Sequence, residues 1–398
     1  MYALLSVVLI PIILGAGTSA QSATSKAETA HDVLQTWYNG STGIWDTSGW
    51  WNGANCMTVL AYLALTDENK TVWKSATEVF NHTFVVGSKA NPHPNLGKVI
   101  PEPPRTGEVQ ALGTVKALNW TDGSFDDDSW WALAWIAAYD VTKNQDYLDL
   151  AIGIFDYLTS DGPTTCSSGG IYSDYNHDYV NAITNELFLS ITAHLANRVP
   201  NNEKYVGWTQ RQWNWFQASG MINDQGIIND GLTDCKNSGQ PMWVAYTLRK
   251  LSNYANGVNV SARWSYNQGV VLGGLVELDR AAPDPSYLKA ASRIAKAAIE
   301  TLADSNDVIH DICEPNSCDA NARQLKGIFI RNLGLLHSVT PNDGYVKVIR
   351  ACAESIWAHD RNSTNNQLGA DWGGPITKAD ASTHSSAMDA LVAAIAIS

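Results

Sequence analysis

Basic residues are scarce in this chain of 398 residues, and no apolar run is long enough for a comfortable membrane span. Lys and Arg number 26 against 39 Asp and Glu, which gives a net charge of −13 at pH 7. A chain this acidic, without a basic block, is a poor candidate for binding nucleic acid or anionic lipid. The apolar run Leu4–Leu14 is also shorter than the roughly 20 residues of a transmembrane helix.

Cysteine is scarce too, and its spacing predicts disulfides rather than a metal site. Cys313 and Cys318 lack the second Cys or His half that would complete a zinc site. We therefore expect no metal and no cofactor. Cys56 and Cys352 fall in helical patterns, where a buried free thiol is the default. The other four cysteines lie in loop-like segments and predict the disulfides Cys313–Cys318 and Cys166–Cys235.

The first 20 residues are typical of a secretory signal peptide. Met1–Ala20 contains the apolar run and ends on small residues, which predicts cleavage before Gln21 and a mature domain over residues 21–398. Secretion agrees with six Asn-x-Ser/Thr sequons, which predict N-glycosylation. The sequons are at Asn39, Asn69, Asn81, Asn119, Asn259 and Asn362.

Apolar residues recur with the period of an α-helix along most of the chain, and almost no segment alternates with period two. The helical patterns form repeated pairs, in which the first helix is apolar all round and the second is charged on one face. A leading helix at Thr29–Tyr38 and a closing helix at His384–Ala394 bring the total to twelve. Six inner and six outer helices predict an all-α (α/α)6 toroid, although a solenoid of the same pairs would also fit.

The segment Gly123–Trp131 places three consecutive carboxylates between Phe125 and a Trp pair, at the start of the predicted helix Ser129–Tyr139. Such a cluster suits carbohydrate chemistry, because carboxyl groups can attack the anomeric carbon and transfer protons while indole faces pack on sugar rings. The balance of 16 Trp and 15 Tyr against 7 Phe also suits a sugar-lined groove. An Asp at a helix N-terminus is equally an ordinary cap, and local spacing alone favours capping.

Six ordered motifs over residues 27–394 extend this interpretation. They are Gly49–Asn55, Asp126–Trp131, Ile228–Leu232, Trp264–Gly269, Lys326–Arg331 and Ser385–Leu391. In this order they resemble glycoside hydrolase family 76, the endo-α-1,6-mannanases, which include fungal cell-wall members. The resemblance implies an (α/α)6 catalytic domain that acts on mannan.

The resemblance also implies a catalytic pair. In the family, two adjacent aspartates precede two variable positions and an aromatic–Trp pair, and counting back from Trp130 and Trp131 selects Asp126 and Asp127. Asp126 would be the nucleophile and Asp127 the general acid/base of a retaining reaction, with Asp128 left as a helix cap. We expect the helix dipole to lower the pKa of both catalytic residues, so that repulsion from Asp126 must keep Asp127 protonated.

A sugar-binding groove is expected beside this pair. Structural roles are equally good interpretations for Trp51, Asn52 and Trp372, and N-capping is nearly as good for Asn267. Arg331 lies in an apolar helix and is expected to join a buried network. The candidate substrate-binding residues are Asp230, Tyr266, Asn267, Gln268, Trp51, Asn52, Trp130 and Trp372.

The chain departs from the family pattern in two places. Residues 241–263 intervene before the Trp264 motif, as a real insertion or as a translated intron. Wall-anchored members continue into a hydrophobic tail, whereas the apolar stretch Ala387–Ile397 is needed here as the last inner helix. We therefore expect no anchor.

Together these features predict a secreted, monomeric glycosidase that cleaves internal α-1,6-mannosidic bonds in mannan, outside the cell or associated with its wall. A transglycosidase acting on α-1,6-mannose-containing glycans is the alternative within enzymes, and the sequence does not decide between them. A non-catalytic mannan-binding protein is a weaker alternative, since both acids are present.

Overall fold

The computed structural model describes residues 21–94, 117–164, 166, 169–232, 263–315 and 317–397, together with the backbone of 254–255 and 258–259. Twelve α-helices lie in this part of the chain. They are Ala23–Gln35 (α1), Trp50–Thr66 (α2), Lys70–Val86 (α3), Phe125–Thr142 (α4), Gln145–Asp161 (α5), Ala182–Ala196 (α6), Glu203–Ala218 (α7), Ser265–Ala281 (α8), Pro285–Leu302 (α9), Leu325–Val339 (α10), Asp343–His359 (α11) and Ala381–Ala396 (α12).

The even-numbered helices form an inner ring and the odd-numbered helices surround it. Each inner helix packs against the next from α2 to α12, and α12 packs back against α2. A solenoid would leave its two ends apart. Closure of the ring therefore confirms the predicted (α/α)6 toroid.

Burial separates the two helix classes as the sequence pattern predicted. Helix α12 buries every residue from Ala381 to Ala393. Helix α9 buries a stripe at Tyr287, Ala291, Ile294 and Ala298, spaced by three or four residues, as expected for a helix with one solvent face. Across the described part of the chain, no helix has the length and apolar character needed to cross a membrane.

Four outer helices begin with the same kind of cap. The side chains of Asn69, Asn144, Asp284 and Asn342 each accept a hydrogen bond from the backbone N–H two residues further on. Such a cap satisfies one of the free N–H groups at a helix start. The repeated caps explain why the outer helices start at equivalent places in successive pairs.

Helix α1 differs from the sequence prediction of Thr29–Tyr38. It begins at Ala23, because the Ser22 hydroxyl caps the N–H of Ser25, and it ends at Gln35. Tyr38 instead lies in a two-residue strand, Tyr38–Asn39 (β1), paired antiparallel with Ile44–Trp45 (β2). Strands this short carry no recognisable period-two pattern.

A second small sheet lies at one end of the ring. Val180–Asn181 (β3) pairs with Gly231–Leu232 (β4), and β4 pairs with Val258–Asn259 (β6), which also pairs with Tyr254–Ala255 (β5). Strands β5 and β6 fall inside the predicted insertion 241–263. This part of the segment therefore extends a sheet that borders Asp230, the residue before β4.

The starts of the inner helices define one face of the toroid, here called the rim. Asp126, Asn185, Asn267 and Gly327 each lie within the first four residues of an inner helix. Outer helices return the chain between them, so the inner helices all begin at this end. These four positions therefore share one end of the ring.

The described cysteines divide into disulfides and buried thiols. Cys313 and Cys318 form a disulfide, and Cys166 is also disulfide-bonded. Its predicted partner Cys235 lies outside the described residues. Cys56 and Cys352 are buried and free.

The sequons differ in how accessible their asparagines are. Asn81 is exposed, and Asn39, Asn69, Asn119 and Asn362 are partly exposed. The side chain of Asn259 lies outside the described residues. N-glycosylation at the six positions remains a prediction.

A buried ionic network joins three inner helices. Arg331 in α10 donates to both carboxylate oxygens of Asp389 in α12, at 3.1 and 2.9 Å, and to Oδ1 of Asn55 in α2 at 2.9 Å. The Arg331 and Asp389 side chains are 7% and 1% exposed. The network lies where α12 meets α2, and it confirms the role expected for Arg331.

Replacing Asp389→Asn is predicted to lower the free energy of unfolding by about 3–5 kcal/mol, because it leaves a buried guanidinium without its counter-charge. Chemical denaturation would measure the loss. The matched control is Glu300→Gln in α9, whose pair with Lys296 is 3.7 Å long and exposed, so that its loss should cost less than about 1 kcal/mol. Equal losses in the two variants would contradict a stabilising role for the network.

Candidate active site

The acidic segment forms the first turn of α4. The helix begins at Phe125, four residues earlier than predicted, so Asp126, Asp127 and Asp128 are all helical. The buried Phe125 is held by its N–H, which donates to the Ser173 carbonyl at 2.8 Å. A loop distant in sequence thus fixes where the helix starts and where its carboxylates lie.

Asp128 is not the helix cap that the sequence suggested. Its side chain is fully buried, and Oδ1 accepts a hydrogen bond from the backbone N–H of Asp122 at 2.8 Å. Burial raises the pKa of Asp128 well above the usual value of an aspartate. The Asp128 carboxyl therefore anchors the preceding loop to the helix, and the capping interpretation is wrong.

Asp122 is a residue of the site that sequence reasoning missed. Its carboxyl is buried, accepts from the N–H of Ser124 at 2.9 Å and is hydrogen-bonded to the side chain of Asp127. In the sequence, Asp122 precedes Gly123 and is typical of a turn. No local signal separates an Asp in a turn from an Asp that contacts a catalytic side chain.

The structure separates the two candidate catalytic carboxyls by their pKa. Burial raises the pKa of Asp126 to about 6, opposed by the Ser124 hydroxyl, which donates to Asp126 Oδ1 at 2.8 Å. Burial raises the pKa of Asp127 well above its usual value, and the charges of Asp126 and Asp122 raise it further. Backbone N–H groups at the helix start lower the pKa of Asp126, but burial outweighs them, and the predicted repulsion from Asp126 contributes to the rise at Asp127. The pKa of Asp126 is thus about 6, and that of its neighbour Asp127 is raised well above the usual value of an aspartate.

Asp230 and Tyr266 are partly exposed at the same rim. The hydroxyl of Tyr179, a residue that the sequence analysis did not identify, donates a hydrogen bond to Asp230 Oδ2 at 2.7 Å. Burial is the main cause that raises the pKa of the Tyr266 phenol well above its usual value, and the charges of Asp126 and Asp230 raise it further. Tyr266 therefore remains a neutral hydrogen-bond donor close to both carboxylates.

Gln268 is inside the protein rather than in an open groove. Its amide is fully buried, accepts from the Ile228 N–H at 2.9 Å and donates to the Ile228 carbonyl at 2.8 Å. Asn185 holds Ile171 in the same way from the start of α6. These amides attach the rim loops to the inner helices, so the structure favours a packing role for Gln268 over the predicted sugar contact.

Three other predicted binding residues are also fully buried: Asn52, Asn267 and Trp372. The Trp372 ring has the ammonium of Lys326 over its face at 4.6 Å. Neither amide atom of Asn52 or Asn267 has a hydrogen-bond partner among the described residues. In this conformation none of the three presents a surface to a sugar.

Trp51 and Trp130 are nearly buried and stack on each other with their ring centres 5.6 Å apart. The Trp51 indole N–H donates to Asn321 Oδ1 at 3.0 Å. Trp130 lines a cavity of about 190 Å³ that extends toward the C-terminal ends of the inner helices, where Asp140 and Glu277 lie. Of the predicted site, the rim thus presents Asp126, Asp127, Asp230 and Tyr266, while the tryptophans lie deeper.

Known proteins are similar to this chain in sequence and in fold. The model of glycosyl hydrolase family 76 matches residues 21–397. Among curated relatives, the mannan endo-1,6-alpha-mannosidase DCW1 of Candida albicans is 26% identical over 236 residues, covering 56% of this chain and 48% of DCW1. DFG5 of the same organism, which carries the same enzyme name, is 24% identical over 59% of this chain and 51% of its own length. The chain spans about half the length of these relatives.

Solved structures share the fold. An inactive variant of the α-1,6-mannanase GH76A of Salegentibacter sp. HEL1_6, in complex with an α-1,6-linked mannotetraose, has a TM-score of 0.74 at 15% identity, with 95% of this chain and 100% of that chain covered. Dfg5 of Chaetomium thermophilum, in complex with glucosamine, has a TM-score of 0.70 at 18% identity, with 94% and 90% covered. Identities this low establish the fold alone.

Replacing Gln268→Leu is predicted to lower the free energy of unfolding by about 2–4 kcal/mol, because the buried N–H and carbonyl of Ile228 lose their partners. Thermal and chemical unfolding would measure the change. Gln225→Ala, at an exposed glutamine in the same rim loop, is the control and should stay within about 0.5 kcal/mol. A Gln268→Leu variant of unchanged stability would argue against the packing role.

Proposed function

We propose that this chain, which belongs to glycosyl hydrolase family 76, is a retaining endo-acting hydrolase of α-1,6-mannosidic linkages in mannan. The observation that carries the proposal is the pair of adjacent carboxyls at the rim, in which the charge of Asp126 helps to raise the pKa of Asp127 well above its usual value while the pKa of Asp126 is about 6. This division of roles is what a retaining glycosidase requires. The names of the relatives support the linkage and the substrate.

In the first step, Asp126 attacks the anomeric carbon while Asp127 gives its proton to the departing glycosidic oxygen. The bond to the leaving sugar breaks, and a mannosyl ester forms on Asp126. Ionisation of Asp126 at neutral pH and the high pKa of Asp127 fit these two tasks. The inactive Salegentibacter variant, in which two consecutive aspartates are replaced, supports the assignment to an adjacent pair.

In the second step, Asp127 takes a proton from water, which attacks the ester and frees Asp126. Esterification removes the negative charge of Asp126, one of the causes that raise the pKa of Asp127. The pKa of Asp127 therefore falls after the first step, so that it becomes available as a base. The charge on Asp126 thus couples the protonation state of Asp127 to the stage of the reaction.

Substrate hydroxyls would be bound at the rim by Asp230 and Tyr266. Asp230 is oriented by the Tyr179 hydroxyl and can accept from a sugar hydroxyl, while the neutral Tyr266 phenol can donate. Both side chains are partly exposed beside the acidic pair. They therefore offer complementary hydrogen-bonding groups to a mannose ring.

The proposed location is outside the cell, in or near the cell wall. The signal-like residues 1–20 and the sequons support export, and the Cys313–Cys318 disulfide fits an oxidising compartment. We infer a protein exported through the secretory route, whose substrate is the mannan of the surrounding wall.

Asp127→Asn is predicted to reduce cleavage of unbranched α-1,6-mannan by about 10²–10⁴-fold through loss of the general acid, and Asp126→Asn by at least as much. Chromatography of the products from wild type and variants would measure the loss. Asp178→Asn, at an exposed aspartate on a neighbouring rim loop, is the control and should keep full activity.

The same experiment separates the alternatives. Wild-type products shorter than the substrate support hydrolysis, whereas products longer than the substrate in the presence of an acceptor sugar would identify a transglycosidase. Mannan binding without any product would indicate a binding protein. Equal cleavage by wild type and Asp127→Asn would refute the catalytic assignment.

The pH dependence of kcat/KM is predicted to be bell-shaped. Activity should rise with pH through about 6 as Asp126 ionises, and it should fall at higher pH as Asp127 loses its proton. Asp122→Asn removes a negative charge that raises the pKa of Asp127, so the alkaline limb should move to lower pH by about one unit. Asp178→Asn should leave both limbs in place, and an unmoved alkaline limb in Asp122→Asn would disprove the coupling.

A further inference from the structure

A second cavity of about 850 Å³ lies outside the proposed active site. Its walls are the segment between α9 and α10, the last turns of α11 and the segment between α11 and α12. None of Asp126, Asp127, Asp230 or Tyr266 lines it. It is therefore a separate feature on the outer side of the rim.

Three side chains in this cavity form a set of metal-binding type. One ligand atom from each of His310, Glu314 and Asp371 lies within 4.8 Å of the other two. His310 Nδ1 is 2.7 Å from Glu314 Oε2, and Asp371 Oδ1 accepts from the N–H of Gly373 at 3.2 Å. Ligands of a zinc ion lie about 2.0–2.2 Å from it, so small side-chain movements would bring all three into coordination distance.

Negative charge exceeds positive charge around this set. Four carboxyl groups are buried here, whereas the nearby cationic groups are the Lys326 ammonium and the His310 imidazole. The Lys326 ammonium already has two partners, since it forms an ion pair with Glu314 and donates to the Ala370 carbonyl at 2.9 Å. Buried carboxyl groups therefore outnumber the cationic groups around the set. The four carboxyl groups belong to Asp311, Glu314, Asp360 and Asp371.

The carboxyl of Asp360 is an unusual member of this group of buried acids. Its side chain is fully buried, and neither carboxylate oxygen has a hydrogen-bond partner among the described residues. Burial is the main cause that raises the pKa of Asp360 to about 8. The charges of Asp371 and Glu314 raise it as well, whereas the charge of Lys326 lowers it. Asp360 does not line the cavity itself, but its carboxyl is close enough to feel the charges of Glu314 and Asp371.

We propose that His310, Glu314 and Asp371 bind a divalent first-row transition metal ion, represented by Zn²⁺. An imidazole nitrogen with two carboxylates is a donor set that zinc accepts. Calcium takes oxygen ligands alone and would leave the imidazole unused. The ion would hold the segments on either side of α10 and α11 together and offset the buried negative charge.

The proposed ion also lies close to a contact that supports the rim. Asp311, next to His310 in sequence, accepts from the N–H and the hydroxyl of Ser265 at 2.8 and 2.7 Å. Ser265 begins α8, which carries Tyr266. An ion at this position would thus brace the segment that fixes the start of α8, without contacting the catalytic pair.

Calorimetric titration of zinc chloride into the chelator-treated, untagged full chain tests the proposal. We expect one saturable site and, at zinc a hundredfold above Kd, a rise in Tm of about 3–5 °C. His310→Gln keeps a hydrogen-bond donor for Glu314, and Asp371→Asn keeps the acceptor for Gly373. Each should weaken zinc binding by at least about 100-fold, since even outer partners of metal ligands contribute about 10–100-fold.

His359→Gln is the matched control, because His359 lines the same cavity and is exposed but lies outside the set. It should bind zinc like the wild type. Absence of binding by the wild type, binding retained in both variants, or preferential calcium binding unaffected by His310→Gln would each overturn the proposal. Unfolding curves without metal establish that the variants are folded, and none of these readouts depends on glycosidase activity.

Discussion

Close backbone contact between inner helices is the constraint on which the toroid depends. A Cβ at Gly327 in α10 would lie 2.4 Å from the Ser386 carbonyl oxygen of α12, and one at Gly269 in α8 would lie 2.5 Å from the Phe329 Cα of α10. Any larger residue would force these helices apart, because backbone atoms cannot move aside as flexible side chains do. Both contacts occur near the helix starts, so they bring the rim together where the acidic pair and Tyr266 lie.

The sequence predicts the helical ring because its signals are local. Period-3.6 patterns and repeated pairs can be recognised without knowing which helices touch, and the ordered motifs identify Asp126 and Asp127. The start of α4 could not be predicted in this way. It depends on Phe125 docking to Ser173, about 50 residues away, and a contact at that distance leaves no local pattern.

The roles of the other site residues divide by burial, which the sequence does not encode. Asp230 and Tyr266 are accessible, whereas Gln268, in the same motif as Tyr266, supports the backbone of Ile228. A motif residue needed for packing is indistinguishable in sequence from one needed for binding. The proposed metal set is invisible for a related reason, since Asp371 is far along the chain from His310 and only the fold brings them together.

Burial also decides the electrostatics of the acidic pair, against the helix dipole. A helix N-terminus stabilises a carboxylate by about 0.3–1 kcal/mol, and by about 2 kcal/mol at most, which corresponds to less than about 1.5 pKa units. Burial acts in the opposite direction, and for a fully buried carboxyl it can shift the pKa by up to about 3–5 units, so even partial burial can outweigh the helix N-terminus. The pKa of Asp127 therefore rises although the residue lies in the first turn of α4. An exposed helix start would lack this burial, so the closed ring and its covering loops supply the raised pKa that the proposed general acid needs.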